Sequence, residues 1–169
     1  MASTPLNLGF LSVVQEGGGY LGGYLVTNVW GRPLEFRLSS AVQPNKVQQI
    51  LYAGTLVPYI CGDLIGKTLV EKAGVAVQLV VTSCEHALDL RLKLDCPVVW
   101  LAPPDEGGAT IPLPNGRGGL VCHPQHPGDQ AAVEELLKQI NLDLAEPFAR
   151  IREAVTEARR MGISNRTAA

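Results

Sequence analysis

The sequence predicts an α/β domain in which a three-stranded antiparallel meander leads through a long helix into a parallel strand–helix–strand unit. Three observations carry this. Strand-like segments separated by Gly- and Asn-containing turns fill residues 8–39. Apolar residues then recur at helical spacing from Val47 to Leu69. Two nearly continuous apolar runs follow, Val75 to Thr82 and Pro97 to Ala102, as expected of strands buried on both faces.

Leu8 to Gln15 reads as the first strand. Glu16-Gly17-Gly18-Gly19 turns the chain, because glycine supplies the positive φ of a tight turn. Tyr20 to Asn28 is the second strand, where Gly22 and Gly23 signal a bulge or a close backbone approach. After a turn at Asn28-Val29-Trp30-Gly31, Pro33 to Ser39 alternates, with Leu34, Phe36 and Leu38 inward and Glu35 and Arg37 outward. A helix is expected over Pro44 to Ala73, opened by Pro44 and stopped by Gly74. Pro58 should kink or split it near Gly54. Gly54, Gly62 and Gly66 lie near one face, each costing up to ~1 kcal/mol relative to alanine. Close packing against the sheet or a second subunit would offset that cost.

Ser83 is expected to cap a short helix through Leu94, which makes the flanking strands a parallel crossover. Residues 103–119 are rich in Pro and Gly. They predict a loop with a hairpin around Asn115-Gly116 that leads into Leu120-Val121-Cys122. Two helices close the chain, Gly128 to Ile140 and Glu146 to Met161. The second has Phe148, Ile151, Val155 and Ala158 on one face. Ser164 to Ala169 is expected to fray.

Composition excludes several classes. The 169 residues suit one domain, 1–169, with a core sheet and long helix over 8–102, a loop region over 103–127 and C-terminal helices over 128–161. Fourteen Lys+Arg against sixteen Asp+Glu is not the basic balance of a general nucleic-acid binder. The 46% hydrophobic fraction is too high for a disordered chain. The N-terminal residues carry no secretory pattern. No run of about 18 apolar residues predicts a membrane span: the richest window, Ile50 to Val70, is broken by Pro58, Asp63, Lys67 and three glycines. Cys61, Cys84, Cys96 and Cys122 follow no secreted disulfide framework, so reduced thiols and a cytoplasmic location are expected.

The element order over residues 8–102 resembles the ribonuclease H-like fold. That resemblance rests on order alone, with no matching motif. It implies that the meander and the two parallel strands share one mixed sheet with helices on both faces. It also implies where a nuclease would hold two metal ions: an Asp within the first strand, an acid on the first helix, and an acid at the end of the fourth strand. Metal-assisted phosphoryl chemistry needs such hard oxygen ligands. Here Leu8 to Gln15 contains no acid, and the nearest substitutes are Glu16, Asp63 and Glu85.

A second constellation is soft. Cys84 and His86 lie where the fourth strand meets its helix, and Cys122, His123 and His126 follow Leu120-Val121, with Asp129 three residues on. Cys and His are zinc's preferred ligands, so a zinc hydrolase with Glu85 or Asp129 as base is an alternative. The competing reading makes the cysteines small core residues and the histidines loop residues. Either cysteine could also serve as a histidine-activated nucleophile, whereas no Gly-x-Ser-x-Gly elbow supports a serine triad. Gly62 to Thr68 has three residues between its glycines rather than four and lies mid-helix, so it makes no phosphate loop. Tyr20 and Tyr24 lack the clustered Lys or Arg of a base-stacking surface. The Arg and Glu residues of the last helix read as an ion-paired solvated face.

The missing first-strand acid and the small residues of the long helix together predict a non-catalytic binding or assembly module. It would be a homo-oligomer or bind a protein partner through the small-residue helix face. It needs no cofactor and no membrane, and nucleic acid is not the expected partner.

Overall fold

The computed structural model describes residues 5–104, 111–113 and 118–162. Among them one open sheet holds seven strands: β1 (Asn7–Glu16), β2 (Gly19–Asn28), β3 (Pro33–Leu38), β4 (Leu79–Thr82), β5 (Val98–Ala102), β6 (Ile111–Pro112) and β7 (Gly119–Cys122). Their order is β3-β2-β1-β4-β5-β7-β6. β1, β2 and β3 pair antiparallel, while β1–β4 and β4–β5 are parallel. β7 pairs antiparallel with both β5 and β6 and extends the sheet past the two expected parallel strands. The Asn115-Gly116 turn lies outside the described residues, as does the expected fraying of Ser164 to Ala169.

The first hairpin shows how composition decides local geometry. Gly17 and Gly18 have φ of 56° and 77°, the paired positive values that match a two-residue turn to the twist of its strands. Glu16 pairs with Gly19 across it. The second turn is held by Asn28, whose Oδ1 accepts from the N–H groups of Trp30 and Arg32 at 2.9 and 3.0 Å.

The expected long helix is divided. α1 (Lys46–Tyr52) starts at Asn45, not Pro44, through a reciprocal cap with Gln48. A 3₁₀ turn (Ala53–Thr55) interrupts it, and Ala53 has a φ of 47°. α2 (Leu56–Pro58), a π-helical segment (Tyr59–Gly66) and α3 (Lys67–Lys72) then run on without a break. The cause is Pro58, whose ring excludes the carbonyl four residues back, that of Gly54, from a helical turn. The chain restarts so that Pro58 falls in a first turn, where its missing N–H costs nothing.

The segment between β4 and β5 is a nine-residue 3₁₀ helix, Glu85–Lys93, whose N-cap is Cys84 and not Ser83. Ser83 Oγ lies 3.3 Å from Ser12 Oγ instead. β4 covers only the second half of the run from Val75. α4 (Asp129–Leu137) and α5 (Glu146–Arg160) follow, and Phe148, Ile151, Val155 and Ala158 are buried as expected.

Two apolar clusters sandwich the sheet. Leu8, Phe10, Val81 and Val99 pack under α4 and α5. Leu11, Tyr24, Val80 and Val98 pack under α2, the π segment and the 3₁₀ helix. Gly22 and Gly23 serve close approach on both sides. A Cβ at Gly22 would collide with Ile65, and one at Gly23 would lie 2.7 Å from Ile151 Cγ2.

The expected facing of β3 is corrected. Glu35 is buried at 8% exposure while Leu34 is 40% exposed. Glu35 pairs with Val26 in register, and cross-strand partners share a face, so its carboxylate turns under the helices. There it accepts from Gly74 N at 2.9 and 3.1 Å, Val75 N at 3.0 Å and Arg37 Nε at 2.6 Å.

Tyr24 is fully buried on the same face, and its Oη is without a hydrogen-bond partner. Burial, then the neighbouring charges of Cys96 and Glu35, pushes its phenol well above the ordinary range. An unpartnered buried hydroxyl costs about 1–3 kcal/mol. Tyr24→Phe is therefore expected to raise stability by about 1 kcal/mol, read as a higher denaturant midpoint at unchanged slope.

Candidate functional site

In open α/β sheets, ligand and catalytic groups gather at the carboxyl ends of the strands. Here the parallel strands β1 and β4 end at Glu16 and Thr82, and the chain leaves β4 through Ser83 and Cys84. Cys84 lies at this edge, whereas His123 and Asp129 follow β7 at the opposite one, where Cys122 pairs with Val99 near the start of β5.

The first group is a thiol pair. Cys61, 1% exposed, sits in the π segment. Cys84 is half-buried at the N-cap of the Glu85–Lys93 helix. The neighbouring Cys61 thiol holds the Cys84 thiol below the ordinary thiol range against the opposing effect of burial. The N–H groups of His86 and Ala87 and the charge of His86 act in the same direction. Cys61 is pushed up by the neighbouring Cys84 thiol and by burial.

The π segment is part of this geometry. Lys67 N–H reaches Gly62 O, five residues back, so the turn is wider than an α turn. Such segments are rare and frequent at functional sites. Gly66 permits it: a Cβ there would lie 2.8 Å from Cys61 O, 3.1 Å from Leu11 and 3.2 Å from Leu90.

The second group is a pair of polar struts. His123, 5% exposed, places Nε2 2.8 Å from Asp89 Oδ1, while its Nδ1 accepts from Gln125 N at 3.1 Å. An accepting Nδ1 assigns the proton to Nε2, which donates to Asp89. Arg91 Nε donates to Asp129 Oδ2 at 2.7 Å and its Nη1 donates to Leu94 O at 2.8 Å. These contacts tie the Glu85–Lys93 helix to the chain between β7 and α4.

The soft-ligand set is therefore divided. Cys84 and His86 stand at the start of the 3₁₀ helix, and His123 and His126 stack edge to face at 6.0 Å beyond β7. Cys122 is buried in the core under α4 and α5, on the sheet face opposite Cys61. Asp129, the second candidate base, is the partner of Arg91. Among the described residues no three His, Cys, Asp or Glu side chains converge to hold a metal ion.

The hard-ligand set is not gathered either. Glu16 is on the same side of β1 as Leu8 and Phe10, and its carboxylate meets the Arg159 guanidinium of α5. Asp63 is on the other side of the sheet, in the π segment. There it lines a recess of ≈ 380 Å³ with Tyr52, Tyr59 and Asp89. Glu85 is exposed. Gly9 of β1 stands against Tyr24. A Cβ on it would fall on Tyr24 Oη and within 2.7 and 2.8 Å of its ring carbons Cε1 and Cζ. Tyr24 occupies that space.

The third feature is a surface. Of the expected small-residue face, Gly62 and Gly66 are buried against the Glu85–Lys93 helix, while Gly54 is exposed. The apolar face left open belongs to α1. Val47, Ile50 and Leu51 are 62, 66 and 75% exposed, and α1 buries no residue.

No protein-family model matches the chain, and no curated protein sequence matches it. No helix among the described residues is long and apolar enough to cross a membrane.

Proposed function

We propose that the chain is a cytosolic assembly module on a ribonuclease H-like core, which pairs with a second copy of itself through α1. The core assignment is supported by the meander and two parallel strands lying in one sheet between helices. The cytosolic setting agrees with all four cysteines being thiols. The observation that carries the assembly reading is α1 itself. It presents Val47, Ile50 and Leu51 at i, i+3 and i+4 to solvent. A seven-residue helix is too short to persist on propensity, and its capping box at Asn45 organises a segment that fully buries none of its residues.

Charge favours a second copy as the occupant. Residues 38–62 contain a single charged side chain, Lys46. Charge depletion with apolar and aromatic residues is the composition of an interface centre. A charged partner would find no complement there, whereas a two-fold pairing needs only that the patch match itself. Three side chains fall short of the roughly 800 Å² per partner of a standard interface. The pairing therefore extends over the stacked Tyr52 and Tyr59, whose rings are 4.8 Å apart, and gives a weak dimer. Native mass spectrometry and light scattering at micromolar concentration are expected to find dimer, and Ile50→Glu with Leu51→Glu to return it to monomer at unchanged circular dichroism. A wild-type chain that stays monomeric overturns the reading.

A further inference from the structure

We propose that Lys46 of each copy enters the recess beyond α1 of the other copy, where Asp63 and Asp89 take up its ammonium. This rests on the self-pairing of α1 and names the polar contact that fixes its register. The recess of ≈ 380 Å³ begins where α1 ends. Tyr52, Tyr59, Asp63 of the π segment and Asp89 of the Glu85–Lys93 helix line it, and no Lys or Arg does. Asp63 is half-buried, and among the described residues its carboxylate has neither a hydrogen bond nor an ion pair. Asp89 is fixed from outside the recess by His123, whose Nε2 lies 2.8 Å from one of its two carboxylate oxygens. Two carboxylates and two aromatic rings without a base select a cation. The oxygens accept charge-assisted hydrogen bonds from an ammonium, and the ring faces attract it.

The cation is at hand in the pairing segment. Lys46 is the single charged side chain of residues 38–62. It is exposed in the first turn of α1, and among the described residues its ammonium has no ion pair. The length of α1, about 9 Å, separates it from the recess of its own chain.

Symmetry brings the two together. Val47 and Leu51 are equidistant along α1 from Gln49. An antiparallel two-fold pairing centred at the level of Gln49 sets Val47 of each copy against Leu51 of the other, so apolar side chains cover apolar side chains. The same register sets Lys46 against Tyr52, the first residue of the recess. A parallel two-fold pairing would set Lys46 against Lys46 and leave both recesses without a cation. Charge therefore selects the antiparallel arrangement, and the two-fold axis makes the contact twice per dimer.

The test measures the dimer dissociation constant of the full chain by analytical ultracentrifugation. Raising sodium chloride from about 0.05 to about 0.5 M is expected to weaken the dimer several-fold, because salt screens partly exposed ion pairs. Lys46→Glu and Asp63→Lys each bring like charges together and should each raise the constant about tenfold. Combined in one chain they should restore most of the affinity. The salt series needs no variant, so a misfolded Asp63→Lys would not decide the matter. A salt-independent constant, single variants whose effects simply add, or a dimer that Lys46→Glu leaves intact while Ile50→Glu with Leu51→Glu abolishes it would overturn the inference and leave the self-pairing standing. Butylammonium that shifts the Tyr52 and Tyr59 resonances without changing the dimer constant would make the recess a small-cation site and overturn it as well. A monomeric wild-type chain overturns the self-pairing and this contact with it.

Discussion

Replacing Asp129 with alanine is expected to cost about 3–5 kcal/mol of folding stability, the penalty for stranding one member of a buried ion pair. Arg91 and Asp129 are 14% and 10% exposed, and Arg91 Nε meets Asp129 Oδ2 at 2.7 Å. Without the carboxylate, the guanidinium keeps, among the described residues, only the Leu94 carbonyl at 2.8 Å. For a chain of this length such a loss lowers Tm by roughly 10 °C, and chemical denaturation would measure it directly. The pair itself adds little over an apolar filling. Arg91→Met with Asp129→Leu is therefore expected to recover most of the loss. A double variant no better than Asp129→Ala would mean that the network, not the stranded charge, carries the cost.

Glu35→Ala is the second large effect, about 3 kcal/mol, because it leaves the N–H groups of Gly74 and Val75 without their acceptor. The same site makes stability depend on acid. Burial alone would raise the Glu35 carboxyl, but the Gly74 N–H, Arg37 and the Val75 N–H outweigh it and hold the group below its ordinary value. A carboxyl that is lower in the folded chain than in the unfolded one contributes stability that is fully present above the unfolded pKa. That stability is lost as pH falls through the folded value. Glu35→Gln should therefore be less stable than wild type at neutral pH and converge with it in acid. Parallel acid-denaturation curves would contradict this.

Much of the fold is legible in the chain because it rests on local rules. The paired glycines at 17 and 18, the period-two runs and the apolar stripe of α5 each point to their element without help from a neighbour. Pro58 marks the helix break for the same reason, since its ring acts within one turn. The legible part fails where a side chain's facing depends on pairing. Glu35 reads as outward by alternation with Leu34 and Phe36, yet the register that sets it against Val26 turns it under α3. The candidate site is less legible still. Cys84 and His86 are visible as a pair at a strand end, but Cys61 looks like one more apolar residue of a helix. The π turn that carries it leaves no periodic trace.

The chain on its own determined the three-stranded meander, the two parallel strands and the two closing helices, and that the first strand holds no acid between Leu8 and Gln15. Those properties follow from side chains and backbone within a few residues of each other. Only the tertiary structure decided that Glu16 and Asp63 stand on opposite faces of the sheet, that Gly62 and Gly66 are buried, and that the apolar side chains of α1 remain open. Such contacts depend on register and on which sheet face each helix covers. These are set by the packing of the whole chain and are written in no single stretch of it.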